Sequence, residues 1–162
     1  MIVRSFAPIA APDAKILILG SMPGIASLEA GQYYAHPRNA FWPIMGALFG
    51  AGPDLPYTER VTRLQSRGVA VWDVLQACER VGSLDSNIRR EVPNDFAAFF
   101  AAHPRLQTVA LNGGKAAASF HKLAARHLPE GAALHALPST SPAHAARSFE
   151  AKCDLWRAAL SV

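Results

Sequence analysis

The chain is poor in what several large protein classes require. Its two cysteines, Cys78 and Cys153, lie far apart and near no histidine-rich cluster. That excludes a thiolate metal centre or an iron–sulfur cluster built by this chain and leaves both as reduced core thiols. No apolar run approaches the roughly 18 to 20 residues that a membrane-crossing helix needs. The first residues also lack the charged-then-apolar layout of a secretory signal, so a cytoplasmic protein without membrane contact is expected; a monomer is the expected state. Internal repeats, low-complexity tracts and linkers are missing too, which makes residues 1–162 one expected domain. Acidic residues are the minority, 12 against 16 basic, for a formal net charge of +4 and a pI near 9.4. Arginine supplies twelve of the sixteen. Its planar fork suits phosphate oxygens, which favours a nucleic-acid partner, although an Ala- and Arg-rich composition can also follow from genome base content.

What is present is a globular chain, 51% hydrophobic, with strand and helix patterns in alternation. Residues 15–19 (KILIL) form a short apolar run stopped by Gly20, the pattern of a strand buried on both faces. A helix is predicted over 40–49, with Pro43 tolerated in its first turn, and an amphipathic helix over 58–67. Residues 69–75 read as the second strand. Asn94 or Asp95 can cap a helix through Phe96, Phe99 and Phe100, with Pro104 beyond its end. Residues 106–111 are the third strand, 115–128 a helix, 133–137 the fourth strand and 148–160 the closing helix. Strands alternating with helices imply βα units, hence an α/β fold with a short, mainly parallel four-stranded sheet in a three-layer α/β/α sandwich.

In open parallel sheets ligands bind at the carboxyl ends of strands. Here three such ends run into unusual loops: GSMPG at 20–24, NGG at 112–114 and PSTSPAH at 138–144. Each has a plain explanation beside a functional one. Gly20, Pro23 and Gly24 can simply make a tight turn. Asn112 can be a cap. At least one of Ser139, Thr140 and Ser141 is expected to cap the last helix. His103, His121, His127 and His135 lack ligand spacing and read as surface or core residues, whereas His36 and His144 lie in the suspect loops.

Several chemistries fall away. Gly113-Gly114-Lys115-Ala116 fails as a phosphate loop, because the first glycine would have to stand at Val109 and the hydroxyl residue at Ala116. No G-x-S-x-G elbow occurs, although Ser139 or Ser141 with His144 keeps a serine hydrolase open. A dinucleotide fingerprint after the first strand and paired carboxylates at the loop tips are absent. A reaction here must run on an amide, hydroxyls, backbone dipoles and rings.

The ordered set GSMPG, YYAHPRNAFW, VWDV, GSLDSNI, LNGG and LPSTSPAH resembles the uracil-DNA glycosylase superfamily, most closely its hypoxanthine-DNA (deoxyinosine) glycosylase branch. The AHP-x-N-x-FW spacing is shared with the mismatch-specific uracil and thymine glycosylases. The resemblance covers nearly the whole chain. It implies a cofactor-independent monofunctional glycosylase that flips a deaminated base, hypoxanthine or else uracil or xanthine, out of DNA and hydrolyses its N-glycosidic bond. It implies no metal and points to Asn39 as the residue that orients water, since Met22 stands where related branches have Asp or Asn. It gives Tyr34 the stacking role and Asn112 the base edge, with Phe41 and Trp42 bracing the loop. Ser21, Met22, Pro23, Gly24 and Ser27 are expected to line the pocket. Leu137 replaces a catalytic His of some branches. Ser139, Thr140 and Ser141 are expected on DNA phosphates, with His144 or Arg147 filling the gap left by the flipped base. The alternative is a small-molecule hydrolase, or a nucleotide- or nucleic-acid-binding module without catalysis.

Overall fold

The computed structural model describes residues 1–143 and 146–162. Its centre is a parallel sheet of β2 (Ile16–Gly20), β3 (Val69–Asp73), β6 (Thr108–Asn112) and β7 (Ala133–Leu137) in the order β3-β2-β6-β7. The apolar runs are continuous because successive side chains feed different cores. Leu17, Leu19, Ala70, Trp72, Val109 and Leu111 point to one face, where they meet Phe96, Phe99 and Phe100 of α4 (Phe96–Ala102) and Phe120 of α5 (Gly114–Leu123). Ile18, Val69, Val71 and Ala110 point to the other. There they pack on Phe41, Trp42, Ile44 and Met45 of α2 (Phe41–Phe49), Leu64 of α3 (Tyr57–Ser66) and Trp156 of α6 (Phe149–Leu160). This is the three-layer sandwich expected, with each central Leu, Ile or Val contributing about 1.5–3 kcal/mol by leaving water.

Caps set the helix limits. Asp95 Oδ1 accepts from Ala98 N–H at 3.0 Å, and Ser148 Oγ from Ala151 N–H at 3.1 Å. Ser148 therefore caps the closing helix, where Ser139, Thr140 or Ser141 was expected; those three lie well before it in the chain and tie the preceding loop. The helix expected over 115–128 ends at Leu123 and continues as a 3-10 turn, Ala125–His127. A further short helix, α1 (Ile25–Ala30), follows the GSMPG turn.

The strand expected over 69–75 is in fact two. At Val74 the chain leaves the parallel sheet, its N–H bonded to Gly20 O at 2.8 Å, and enters β4 (Leu75–Glu79). β4 is the centre of an antiparallel sheet between β1 (Ile2–Arg4) and β5 (Arg89–Pro93). These strands are short, β5 carries charges and ends on proline, and their partners are at least ten residues away within β4–β5 and more than seventy within β1–β4, so periodicity alone did not reveal them.

Candidate functional site

Register places the four strand ends in one row. Gly20 pairs with Asp73 and Asn112 with Leu137, while Leu19 pairs with Leu111, so Gly20 and Asn112 end adjacent strands side by side. Above this row opens a cavity of about 390 Å³, within the range of small-ligand pockets (~300–1,000 Å³). Its walls include Ser21, Met22, Pro23, Gly24, Ser27, Tyr34, His36, Asn39, Asp73, Asp85, Asn112, Lys115, Ser139, Thr140 and Ser141.

Gly20 is required by its neighbours. A Cβ there would stand 2.6 Å from Asp73 Oδ1 and 2.8 Å from the Tyr34 hydroxyl, so only glycine lets the carboxyl and the phenol converge over the strand end. Gly113 has the same duty one strand away. It has φ 96° and would put a Cβ 2.9 Å from that of Ser139, so its lack of a side chain lets the NGG and PSTSP loops touch.

The aromatic stretch is a brace with one ring, Tyr34, half-buried at the cavity. Tyr33 is buried; its hydroxyl donates to Ala7 O at 2.9 Å, and its carbonyl accepts from Trp42 Nε1–H at 2.8 Å. Tyr34, with φ 54°, is turned the opposite way. Its ring stacks on Phe41 with centroids 4.0 Å apart and 19° between planes, and the residue borders the cavity. Burial, with the nearby Asp73 charge adding to it, pushes the Tyr34 phenol far above its usual range, so it stays a neutral donor.

Asn39 sits at the entry to α2. Its Oδ1 accepts from Phe41 N–H at 2.9 Å and its own N–H donates to His36 O at 3.0 Å. The second lone pair and the amide NH₂ have no partner among the described residues. Asn112 is more heavily committed. Its Nδ2 donates to the Tyr34 hydroxyl at 3.2 Å and to Thr140 Oγ1 at 3.0 Å, and its Oδ1 accepts from Thr140 N–H at 3.0 Å. One acceptor lone pair remains. Thr140 is 1% exposed and its carbonyl takes Ala40 N–H, so it joins three loops from inside and does not face solvent, where a phosphate would lie. Ser139 and Ser141 are half-buried at the cavity edge. Lys152 Nζ supports this loop from below, donating to Ser139 O at 2.7 Å.

The GSMPG backbone is held from the β4–β5 side. Arg80, 3% exposed, donates Nη2–H to Pro23 O at 2.6 Å, and Ser21 Oγ donates to Asp85 Oδ1 at 2.7 Å. Ser27 Oγ accepts from Ala35 N–H at 3.1 Å and so returns the loop to Tyr34. Met22 and Leu137 lie in opposite apolar cores, 7% and 9% exposed. Arg147 is exposed and outside the cavity walls, and His144 lies outside the described residues. Lys15 is at the far end of β2 from the cavity, whereas Lys115 reaches the cavity and pairs with Glu91 at 3.0 Å.

Two carboxyls missed in the sequence also reach the cavity. Extending the second strand to residue 75 placed Asp73 mid-strand, but pairing ends at Gly20–Asp73 and the side chain turns into the pocket. Asp73 is 3% exposed and its Oδ2 is sealed without a hydrogen-bond partner. Burial raises its pKa from 3.8 to about 7, the Asp85 carboxylate pushing the same way and Arg80 opposing. Near neutrality this group holds a proton it can donate. The residue quartet VWDV was the available signal.

Comparison with known proteins agrees with this geometry. The family model described as the uracil DNA glycosylase superfamily matches residues 7–161. The chain is similar to a protein named hypoxanthine DNA glycosylase from Methanosarcina acetivorans, 38% identical over 117 residues, covering 72% of this chain and 74% of the relative. A protein of the same name from Methanosarcina barkeri is 36% identical over 113 residues, 69% of this chain and 72% of the relative. A solution NMR structure from M. acetivorans, named as a candidate uracil DNA glycosylase, superposes with a TM-score of 0.80 at 33% identity over 95% of both chains.

Proposed function

The chain belongs to the uracil DNA glycosylase superfamily, and from that premise we propose that it is a monofunctional DNA glycosylase that removes deaminated bases, hypoxanthine first, by hydrolysing the N-glycosidic bond. The observation that carries this reading is the pocket at the strand ends. It is lined by the ring of Tyr34, stacked on Phe41, by the Asn39 amide with its NH₂ uncommitted among the described residues, and by Asp73 and Asn112 at the ends of their strands.

The mechanism follows from what each group has left to offer. A flipped base enters the cavity and stacks on the open face of Tyr34, whose other face is buttressed by Phe41. Asn112 Oδ1 has one lone pair for an N–H on the base edge. Protonated Asp73, two strands along the row, donates to a ring nitrogen or carbonyl oxygen. As the glycosidic bond stretches, positive charge gathers on the sugar and negative charge on the base. A proton or hydrogen bond from Asp73 stabilises the leaving base, and Asn39 orients water at the sugar carbon. No strong nucleophile is needed: Leu137 packs in an apolar core, and Met22, which borders the cavity, is apolar and packs in the other. Ser21, Pro23, Gly24 and Ser27 shape the wall, and Ser139 and Ser141 face the phosphates with Arg147 beyond them. We place the enzyme as a single domain, acting as a monomer in the cytoplasm; no helix among the described residues is long and apolar enough to cross a membrane.

The test is incubation with duplex oligonucleotides carrying inosine, uracil, xanthine or no lesion, followed by alkaline cleavage. Cleavage at inosine is the expected result. The absence of abasic product on every lesion would overturn the reading and leave a small-molecule hydrolase or a non-catalytic binding module on this fold.

A further inference from the structure

Among the described residues two basic side chains are buried, and each lies beneath one of the loops that wall the cavity. Lys152 holds Ser139 O, and Arg80 holds Pro23 O. The arginine reaches further. Its Nε–H donates to Gly82 O at 2.7 Å while Nη2–H donates to Pro23 O at 2.6 Å, and its backbone N–H donates to Met1 O at 3.0 Å. One guanidinium therefore ties the GSMPG loop to the segment that follows β4.

Those hydrogen bonds do not account for a charge in this place. The ion pairs among the described residues are Arg90–Glu79 and Lys115–Glu91, and Arg80 is in neither. Its Nη1 is sealed with no hydrogen-bond partner among the described residues, and the other side-chain atom in that state is Asp73 Oδ2. A buried cation without a contacting carboxylate is costly, and a well-packed apolar chain of similar volume often serves stability as well or better. Neutral donors can hold two carbonyls. What they do not supply is charge, and the buried carboxyl that this charge reaches is Asp73. Tyr33 and Tyr34 of the aromatic loop, Asp85 of the 3-10 turn Asp85–Asn87 and Arg80 surround that carboxyl, and His36 and Lys115 line the same cavity. Burial and the Asp85 carboxylate push the Asp73 pKa up, and Arg80 is the neighbour that pushes it down.

We propose that Arg80 is a positioning residue for base release: its guanidinium fixes the GSMPG wall through Pro23 O and places a buried positive charge behind Asp73, which makes that carboxyl a stronger proton donor to the departing base. The inference rests on the glycosylase reading with Asp73 as donor, and extends it to a residue outside the cavity walls. In the step it serves, the glycosidic C–N bond breaks with its electron pair going to the base, and the Asp73 proton moves to a nitrogen or oxygen of that base. Water adds its oxygen to the sugar carbon and gives a proton to solvent, from which Asp73 is reprotonated. The transfer leaves a carboxylate in a buried site, and a cation already fixed there stabilises it without rearrangement.

The experiment is a pH profile of single-turnover excision from an inosine duplex by wild type, Arg80→Gln, Arg80→Met and Arg80→Lys, each checked for folding by thermal unfolding. Arg80→Gln keeps a donor for Pro23 O without the charge, and Arg80→Met fills the volume should the shorter amide leave a void. Either neutral variant should move the alkaline decline of excision up by at least ~0.5 pH unit and lower the plateau below it, whereas Arg80→Lys should keep the decline within about 0.2 unit of wild type. In an Asp73→Asn background none of the three substitutions should produce a decline to move. A slower enzyme whose decline stays in place would overturn the proposal, because a residue that only braces the loop changes the rate without shifting the profile. An equal shift in Arg80→Lys would overturn it too. A wild type with no alkaline decline removes Asp73 as the donor, and one inactive on every lesion removes the glycosylase reading, so the three failures are told apart.

Discussion

Replacing Asp73 by Asn separates the cost of the pocket from its use. The folded protein holds this carboxyl with a pKa of about 7, against 3.8 for an exposed one. Between those values the native state keeps a proton that the unfolded chain releases, so stability falls as pH rises through the window. At ~1.4 kcal/mol per pH unit, the full penalty above pH 7 is on the order of 4 kcal/mol. Asparagine has nearly the same shape and no charge, but its amide hydrogens inherit the sealed position of Oδ2, where they cost about 1–3 kcal/mol. That cost does not depend on pH. The variant should therefore be equal to or less stable than wild type near pH 4, and should gain on it by roughly 4 kcal/mol by pH 8. For a domain of this size, the relative midpoint then moves by about 10 °C. Thermal or urea unfolding of both proteins at intervals from pH 4 to 8 reads this directly. Parallel curves would refute a buried, proton-holding Asp73. The same pair tests catalysis: wild-type excision of hypoxanthine should decline above pH 7 as the donor ionises, and Asp73→Asn should lack that decline.

Asn39→Ala should lower single-turnover excision at least ~100-fold while lesion binding is largely retained; its lost contact to Phe41 N–H adds about 0.5–2 kcal/mol of instability visible on unfolding. Unchanged activity would place the water elsewhere. Gly20→Ala should drive the Tyr34 hydroxyl from Asn112 and depress excision more than stability, so an active variant with an intact pocket would contradict the convergence described. Binding to undamaged duplex should weaken steeply with added salt as counterions are released, and a flat response would speak against a phosphate-contacting surface. Hypoxanthine should leave faster than uracil in matched duplexes, because a purine can accept a proton on its imidazole ring, and a clear uracil preference would reverse that ordering.

The sequence alone determined the parallel sheet, the helices on both faces and the edge on which the site lies. Runs such as KILIL are apolar at every position because each face of the strand meets a core, and loop residues such as the NGG turn follow from local backbone demands. The positions of Tyr34, Asn39 and Asn112 at one cavity followed from motif order. What those side chains are free to do was decided by tertiary structure. Asn112 spends most of its amide on Tyr34 and Thr140, partners 78 and 28 residues away. Asp73 became a pocket residue because the register with Gly20 ends its strand there, and its proton is held by burial and by Asp85, conditions that no local pattern encodes. The second sheet was hidden for the same reason. Hydrogen-bond saturation, desolvation and exposure are properties of neighbours in space, whereas periodicity and turn chemistry are properties of neighbours along the chain.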